Sequence, residues 1–442
     1  MKVIHVGIAG YGTVGRGTAE AIINNAEEVV RRTGARLEVS AVCRRSQIPA
    51  ASVPPGTKVF SDWRALVNDP NVDVVVETIG GTDVAYDVIR TALECGKPVV
   101  TANKKLIAER GAELFALATA RQLPLGIEAT VAGAVPIVRV LTEGIGGDRV
   151  LALRGILNGT ANYILSRMQN DGLSFEEALQ LAQQAGYAEA DPTLDIDGLD
   201  ARDKLCILTH LAFGCRVACD QIPAQGIRRV SADDFHYARR LHSTIRLLAT
   251  AANGGDGLHV GVRPWLVSRD SMLAAVEGAH NAVLVDAERS GTHMLYGKGA
   301  GGGPTGIAVL SDLLQIARQL ASGNGATPHS PVAANGRSCQ LLREIAVSPW
   351  YLRLTVRDQS GIVARVATAL ASHDVNIDVV LQEPHLKKDP LSFVMMTEPA
   401  TEPAISAAVA EIDRMTFLHV PVLALPVLPA EARVGSGAGP SK

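Results

Sequence analysis

Between Gly186 and Lys204 the chain reads GYAEADPTLDIDGLDARDK, with carboxylates at Glu189, Asp191, Asp195, Asp197, Asp200 and Asp203 and a lysine at its end. Such a stretch can be a solvated acidic face, a metal loop or a site that grips a charged substrate. An EF-hand loop needs acidic ligands at alternate positions, a central glycine and a closing glutamate, and this order does not supply them. Pro192 and Gly198 break any long helix. A helix starting near Leu199 places Asp200 and Lys204 on one turn, and a solvated acidic face has little use for that embedded lysine. The spacing favours a polar active-site cluster.

Six further motifs carry chemistry. Gly10-Tyr11-Gly12-Thr13-Val14-Gly15 follows a β-branched run and opens a helical pattern. In that context the glycines permit a tight turn and close approach of a pyrophosphate to helix N-terminal amides, which predicts dinucleotide binding. The next β pattern, LEVSAVC, ends in Arg44 and Arg45, where an NAD site places an acid for the ribose hydroxyls. Guanidinium groups there favour a 2′-phosphate and hence NADP; two exposed surface arginines are the alternative. VVTANKK, residues 99–105, sets Lys104 where a strand meets a helix, either in the cleft off the strand ends or in solvent. GIEATVAGAVP, residues 126–136, holds Glu128 among apolar neighbours, where a carboxylate needs a proton, a cation or a hydrogen-bond network. In GILNGTANYIL, residues 155–165, Asn158, Gly159 and Thr160 suit a helix cap or a ligand contact. GKGAGGGPTG, residues 297–306, frees backbone N–H groups to approach an anion before a helix from about Thr305, unless it is only a flexible loop.

The elements that must position these residues follow from the hydrophobic pattern. Up to about residue 150, β-branched runs (VIHVGIAG, LEVSAVC, VDVVVETIG, KPVVTA) alternate with helical stretches, the pattern of an α/β fold with a doubly wound parallel sheet. The middle portion mixes amphipathic stretches, SFEEALQLAQQAG and DFHYARRLHSTIRLLATAA, with β patterns VLALRGIL and GLHVGVRPWLV, and reads as α+β. Residues 321–348 resemble a linker in composition. Beyond them, strand, helix, strand, a turn at HLKKDP, strand, helix and strand give the split βαβ order of a ferredoxin-like domain. The expected division is 1–135, 136–320, linker 321–348, 349–428 and a disordered tail 429–442.

At 442 residues the chain exceeds one core. Lys plus Arg (42) nearly balances Asp plus Glu (45), so nothing in the charge recruits nucleic acid or a membrane surface. No apolar run reaches the ~20 residues of a membrane helix, and MKVIHVGIAGYG lacks the features of a signal peptide; a cytoplasmic protein is expected. The cysteines, Cys43, Cys95, Cys206, Cys215, Cys219 and Cys339, form no CxxC pair, and reduced structural thiols are expected rather than a disulfide frame or a zinc site.

The order of motifs is specific. A-x-x-x-G-Y-A-E-A-D-P-x-x-D-x-x-G-x-D-x-x-x-K, Ala182 to Lys204, resembles the signature of homoserine dehydrogenases, and GIAGYGTVG, TANK, EATVAG, GILNGTANYIL and GKGAGGGPTG recur in that family in the same order. YLRLTVRDQSG resembles the opening of an ACT domain, a regulatory module that binds amino acids. The resemblance implies a Rossmann-type domain and the NAD(P)H-dependent interconversion of aspartate semialdehyde and homoserine. By position it implies that Glu189 holds the substrate ammonium, Asp200 helps fix the hydroxyl end, Lys204 exchanges the proton at the substrate oxygen and Lys104 is the second lysine. It implies a monovalent cation, Na⁺ or K⁺, at Glu128, Val131, Gly133 and Val135, and a homo-oligomer, dimer or tetramer. For the ACT segment it implies effector contacts at Asp358 to Gly361, with threonine the usual inhibitor; Gln359-Ser360-Gly361 lacks the proline many relatives carry there, which loosens the turn. The candidate cofactor set is Gly10 to Gly15, Arg44, Arg45, Thr78, Gly80, Asn103, Lys104, Gly299, Ala300 and Gly301; the candidate substrate set is Glu189, Asp195, Lys104, Gly159 and Thr160. Two rival readings are an oxidoreductase for a related amino-acid aldehyde, which would have no use for Glu189, and a silent NADP and amino-acid sensor, which would have none for Lys204.

Overall fold

The computed structural model describes residues 1–46, 53–255, 257–322, 337–342, 344–383 and 390–428. The chain divides into two compact units, each assembled from separate stretches. The first comprises Met1–Leu153, Asp200–Ile222 and Asn281–Gln340; the second comprises Arg154–Leu199, Pro223–His280 and the chain from Leu341 on.

In the first unit, β1 (Lys2–Ala9), α1 (Thr13–Asn24), α2 (Ala26–Thr33), β2 (Ala35–Cys43), β3 (Lys58–Phe60), α3 (Trp63–Asn68), β4 (Val74–Glu77), α4 (Asp83–Glu94), β5 (Val99–Thr101), α5 (Lys104–Ala120) and β6 (Leu125–Gly126) alternate along the chain. The six strands pair in parallel in the order β3-β2-β1-β4-β5-β6. Val74, Val75 and Val76 are buried on both faces of the sheet, which is why the run is continuously apolar rather than alternating. One cover comes from far along the chain: Ala308, Val309, Leu313, Ile316 and Ala317 of the helix Gly302–Ser322 join the core of Ile4, Val6, Ile8 and Ile22. This helix meets α1 at bare backbone, since a Cβ on Gly17 would lie 2.2 Å from the Gly302 carbonyl and one on Gly306 would lie 2.5 Å from Gly17.

In the second unit the strands follow the order Ser243–Asn253, Leu258–Ser268, Leu423–Leu428, Trp350–Val356, Leu391–Thr397, Ile377–Gln382. The last four, with helices Ile362–Ala371 and Glu402–Ile412, make the ferredoxin-like module, as the pattern predicted. Its strand Leu423–Leu428 also pairs in parallel with Leu258–Ser268, Leu266 opposite Val427. One expectation fails. DFHYARRLHSTIRLLATAA is not one amphipathic helix: Ala232–Arg240 is helical, but Ser243–Asn253 is a strand paired antiparallel along its length with Leu258–Ser268. Most of that strand is buried on both sides, so the alternation that would have marked it is missing and helix propensity gives way to pairing.

The cysteine expectation fails as well. Cys215 and Cys339 form a disulfide with Cα atoms 5.6 Å apart across a sequence separation of 124 residues. A two-strand parallel ladder, Arg337 opposite Cys215 and Ser338 opposite Arg216, delivers Cys339 to its partner, and nothing in the cysteine spacing announces such a ladder. Strands Arg337–Ser338 and Leu341–Leu342 also lie within the stretch expected to be a linker; the rest of its early part, the HLKKD turn and the tail from residue 429 lie outside the described residues. Among the described residues no helix is long and apolar enough to cross a membrane.

Candidate active site

The strand ends of the first unit build a cleft of about 780 Å³ lined by Gly10, Tyr11, Gly12, Arg44, Arg45, Thr78 and Gly80, with Arg64 beside them. The glycine loop explains its composition. Gly10 takes φ 103°, and a Cβ there would lie 2.5 Å from the Thr78 backbone; a Cβ on Gly15 would lie 2.1 Å from the Gly10 carbonyl; a Cβ on Gly12 would meet nothing within 4 Å. Two glycines are therefore demanded by the protein and the third faces open space, as close approach of a diphosphate requires. Gly12 caps α1 without a side chain, which leaves the amides of Thr13, Val14 and Gly15 available to an anion. Arg64, stacked 4.4 Å over the Trp63 ring, escaped the sequence reading because it stands one strand beyond the arginine pair. The glycine-rich segment abuts the same loop: a Cβ on Gly302 would lie 2.8 Å from the Thr13 carbonyl, while Gly299 is pressed against Asn281. Its helix begins at Gly302 rather than near Thr305, so Ala300 and Gly301 lie just before its first turn.

Two lysines meet on one carboxylate in the same unit. Lys204 Nζ lies 2.7 Å from Asp200 Oδ2 and Lys104 Nζ lies 2.5 Å from Oδ1. The helix Leu199–Phe213 sets Asp200 and Lys204 one turn apart. Lys104 opens α5, whose cap is Asn103, accepting from the Leu106 amide at 3.1 Å. Asp200 is buried; burial works against its charge, but the Lys204 and Lys104 ammonium groups outweigh that and hold its carboxyl well below the usual carboxylate range. Lys204 is 11% exposed and Lys104 42%, so the first is held in a dry setting and the second reaches solvent.

The rest of the acidic stretch disperses among separate duties. Asp191 accepts from the Thr193 amide and hydroxyl, Asp197 pairs with Arg228 at 2.6 Å, and Asp203 pairs with Arg202 at 3.1 Å. Asp195 accepts from Asn158 Nδ2 at 2.7 Å, and Asn158 also caps its helix by accepting from the Ala161 amide at 2.7 Å. The GILNGTANYIL motif is thus a helix cap, with Thr160 donating to the Tyr187 carbonyl at 2.7 Å and Gly159 close to Ala279. Glu189 is exposed at the head of the stretch.

Glu128 is buried, with its oxygens accepting from the Val138 and Arg139 amides at 3.0 and 2.9 Å. It lines a smaller cavity, about 130 Å³, together with Arg139, Thr142, Glu143, Asp312 and Gln315. The sequence reading left Asp312 and Arg139 unnoticed. Asp312 accepts from the Glu128 amide at 2.9 Å and pairs with Arg139 at 3.0 Å. Burial and the Glu128 charge nevertheless push its carboxyl up to about 7, since the Arg139 side chain is 33% exposed. An acid raised in the folded state loses stability as pH climbs from its unfolded value toward its folded one, here on the order of 4 kcal/mol at most. Asp312→Asn should therefore gain in Tm relative to the parent as pH rises from 5 to 8, measured by calorimetry; a gap independent of pH would refute the raised carboxyl.

This geometry coincides with a known family. Residues 10–126 match the homoserine dehydrogenase NAD-binding domain, residues 136–314 the homoserine dehydrogenase catalytic family and residues 350–415 the ACT domain. A homoserine dehydrogenase of Neisseria gonorrhoeae is 38% identical over 96% of this chain and 98% of its own. The chain belongs to the homoserine dehydrogenase family. The crystal structure of a homoserine dehydrogenase from Thiobacillus denitrificans superposes with a TM-score of 0.90 at 37% identity, covering 97% of this chain and 99% of that one. A hyperthermophilic archaeal homoserine dehydrogenase in complex with NADPH matches 71% of this chain and 97% of its own, with a TM-score of 0.60 at 28% identity. The protein is an oxidoreductase that reversibly reduces L-aspartate 4-semialdehyde to L-homoserine with a nicotinamide cofactor, a step toward threonine, methionine and isoleucine, and it carries an amino-acid-binding ACT module.

Proposed function

We propose that Lys204 delivers the proton in this dehydrogenase, that Asp200 fixes Lys204 and Lys104, and that Glu189 takes the substrate ammonium, with Asp195 a further substrate contact. The observation that carries the reading is the shared carboxylate of Asp200, 2.7 and 2.5 Å from the two ammonium groups. A bound nicotinamide supplies hydride to the aldehyde carbon or receives it back. As hydride arrives, negative charge grows on the aldehyde oxygen, and a trio of two cations and one anion offers the sign that stabilises it and a proton to quench it. The role of Glu189 rests on its place in the signature; substrates lacking the amino group test it, and equal turnover of such substrates would remove it.

The arginines of the cleft support NADP over NAD. Replacing Arg44 and Arg45 together by alanine should lower kcat/KM for NADPH by about tenfold to a hundredfold, the worth of charge-assisted bonds to phosphate, and change NADH use little; equal losses for both cofactors would make the arginines structural. The EATVAG loop suits a monovalent cation held by the carbonyls of Val131, Gly133 and Val135: its residues are buried, and Ala132 and Gly133 both adopt left-handed backbone. The side chain of Glu128 is already engaged by two amides, so it shapes that loop. Assembly as a homo-oligomer rests on family membership. In the ACT module Gly361, at φ 84°, starts the helix Ile362–Ala371, and Asp358 to Gly361 is the turn for an effector, threonine by the family's habit. Millimolar threonine should slow the initial rate; identical rates with and without it would end that reading.

A further inference from the structure

Glu77 ends a β-branched run to which the sequence assigned no chemistry, yet three functional loops leave the sheet around it. It ends β4, and its neighbours in register are Ala9, the end of β1, and Thr101, the end of β5. Beyond Ala9 comes the glycine loop, beyond Thr101 the turn to Lys104, and beyond Glu77 itself the cofactor segment Thr78–Gly81. Glu77 is fully buried, 0% exposed. A carboxylate in such a place is costly unless its oxygens are filled.

Donors fill them. The Ile79 amide donates to Oε1 at 2.7 Å and the Thr101 hydroxyl to Oε2 at 2.6 Å, while the Gly80 amide and the Asn103 side chain also bond to the carboxylate. The Thr101 oxygen accepts from the Asn103 amide at 3.0 Å, which fixes the direction of the relay from Asn103 through Thr101 to Glu77. Asn103 further donates to the Gly81 carbonyl at 2.6 Å and caps α5 at Leu106. Thr78 Oγ1 donates to the Gly10 carbonyl at 2.5 Å. Burial raises the Glu77 carboxyl above its ordinary range, and the converging donors offset part of that rise. A carboxylate is acceptor-only when ionised, and a glutamine would turn an NH₂ toward one of these donors.

We propose that Glu77 is a positioning residue of the reaction: its carboxylate latches the cofactor segment Thr78–Gly81 to the Thr101–Lys104 turn and so fixes Lys104 against Asp200. The inference rests on the assignment of Lys104 to the reacting centre. Displacing a reacting group by a fraction of an ångström to about one ångström costs up to about a hundredfold in rate, whereas a polar group that only fills the core costs stability.

The test uses the full-length enzyme with aspartate semialdehyde and NADPH. Glu77→Gln and Thr101→Val should each lower kcat by about tenfold or more with KM for the aldehyde changed by less than about threefold, and the double variant should be no worse than the poorer single one, because both break one relay. Leu93→Ala, a cavity at the far end of α4, supplies a destabilised control that should keep kcat at a comparable loss of Tm. Should Glu77→Gln fail to fold, the near-isosteric Thr101→Val carries the experiment. Unchanged kcat, additive losses, or losses that follow Tm as in Leu93→Ala overturn the proposal. Lys104→Ala separates the two readings: unchanged kcat there removes the Lys104 assignment itself, whereas a large loss there with an intact Glu77→Gln enzyme removes only the latch.

Discussion

Lys204→Ala should lower kcat for aspartate semialdehyde reduction by about 10²- to 10⁴-fold, the span that general acid catalysis supplies, while NADPH affinity stays near that of the parent. The cofactor cleft of the first unit does not include Lys204, so binding and chemistry separate. Steady-state rates and fluorescence titration of NADPH measure the two effects side by side. In the reverse direction the same amine must accept the proton of the homoserine hydroxyl, so Lys204→Ala should slow oxidation by a comparable factor. A Lys204→Ala enzyme within a few-fold of the parent in either direction would place the proton donor elsewhere.

Asp200→Asn should damage both stability and turnover. Breaking a buried ion pair by removing one partner costs about 3–5 kcal/mol, but only the Lys204 arm is dry. The Lys104 arm is 42% exposed, and an exposed pair adds less than about 1 kcal/mol. The lower end, about 3 kcal/mol, is the expected loss. Its pH dependence has a definite sign. Because the folded carboxyl of Asp200 lies below its ordinary value, its contribution is present in full above the unfolded value of ~3.9 and disappears as pH falls through the folded one. The Tm gap between parent and variant should be constant from pH 6 to 8 and close in strong acid. A gap that widened on acidification would contradict the pairing. Turnover falls too, since a neutral amide cannot hold two ammonium groups.

Where the signal was periodic or local, the sequence sufficed. Valine runs marked β1, β4 and β5, Asp200 and Lys204 four residues apart marked one helical turn, and the strand-helix-strand order of residues 350–428 marked the ferredoxin-like module. What escaped depends on long-range placement. The strand Ser243–Asn253 is buried on both faces and so carries no alternation. Cys339 finds Cys215 through a ladder that composition does not encode. Arg64, Asp312 and Glu77 acquire meaning only from neighbours a strand or most of a chain away. Lys104 was ambiguous on pattern and became a member of the lysine pair only through Asp200, 96 positions later in the sequence. Conversely, the acidic stretch looked like one cluster, whereas its carboxylates serve a turn, a capping asparagine, two arginine pairs and the lysines separately.

The bare-glycine seam between α1 and the helix Gly302–Ser322 bears on how the enzyme is made. The cover for Ile4, Val6 and Ile8 leaves the ribosome long after the strands that need it. A nascent chain that has emerged only through β6 holds an apolar sheet face covered in part by α1 and α2, and the remainder waits, or borrows protection from a chaperone, until the closing helix arrives.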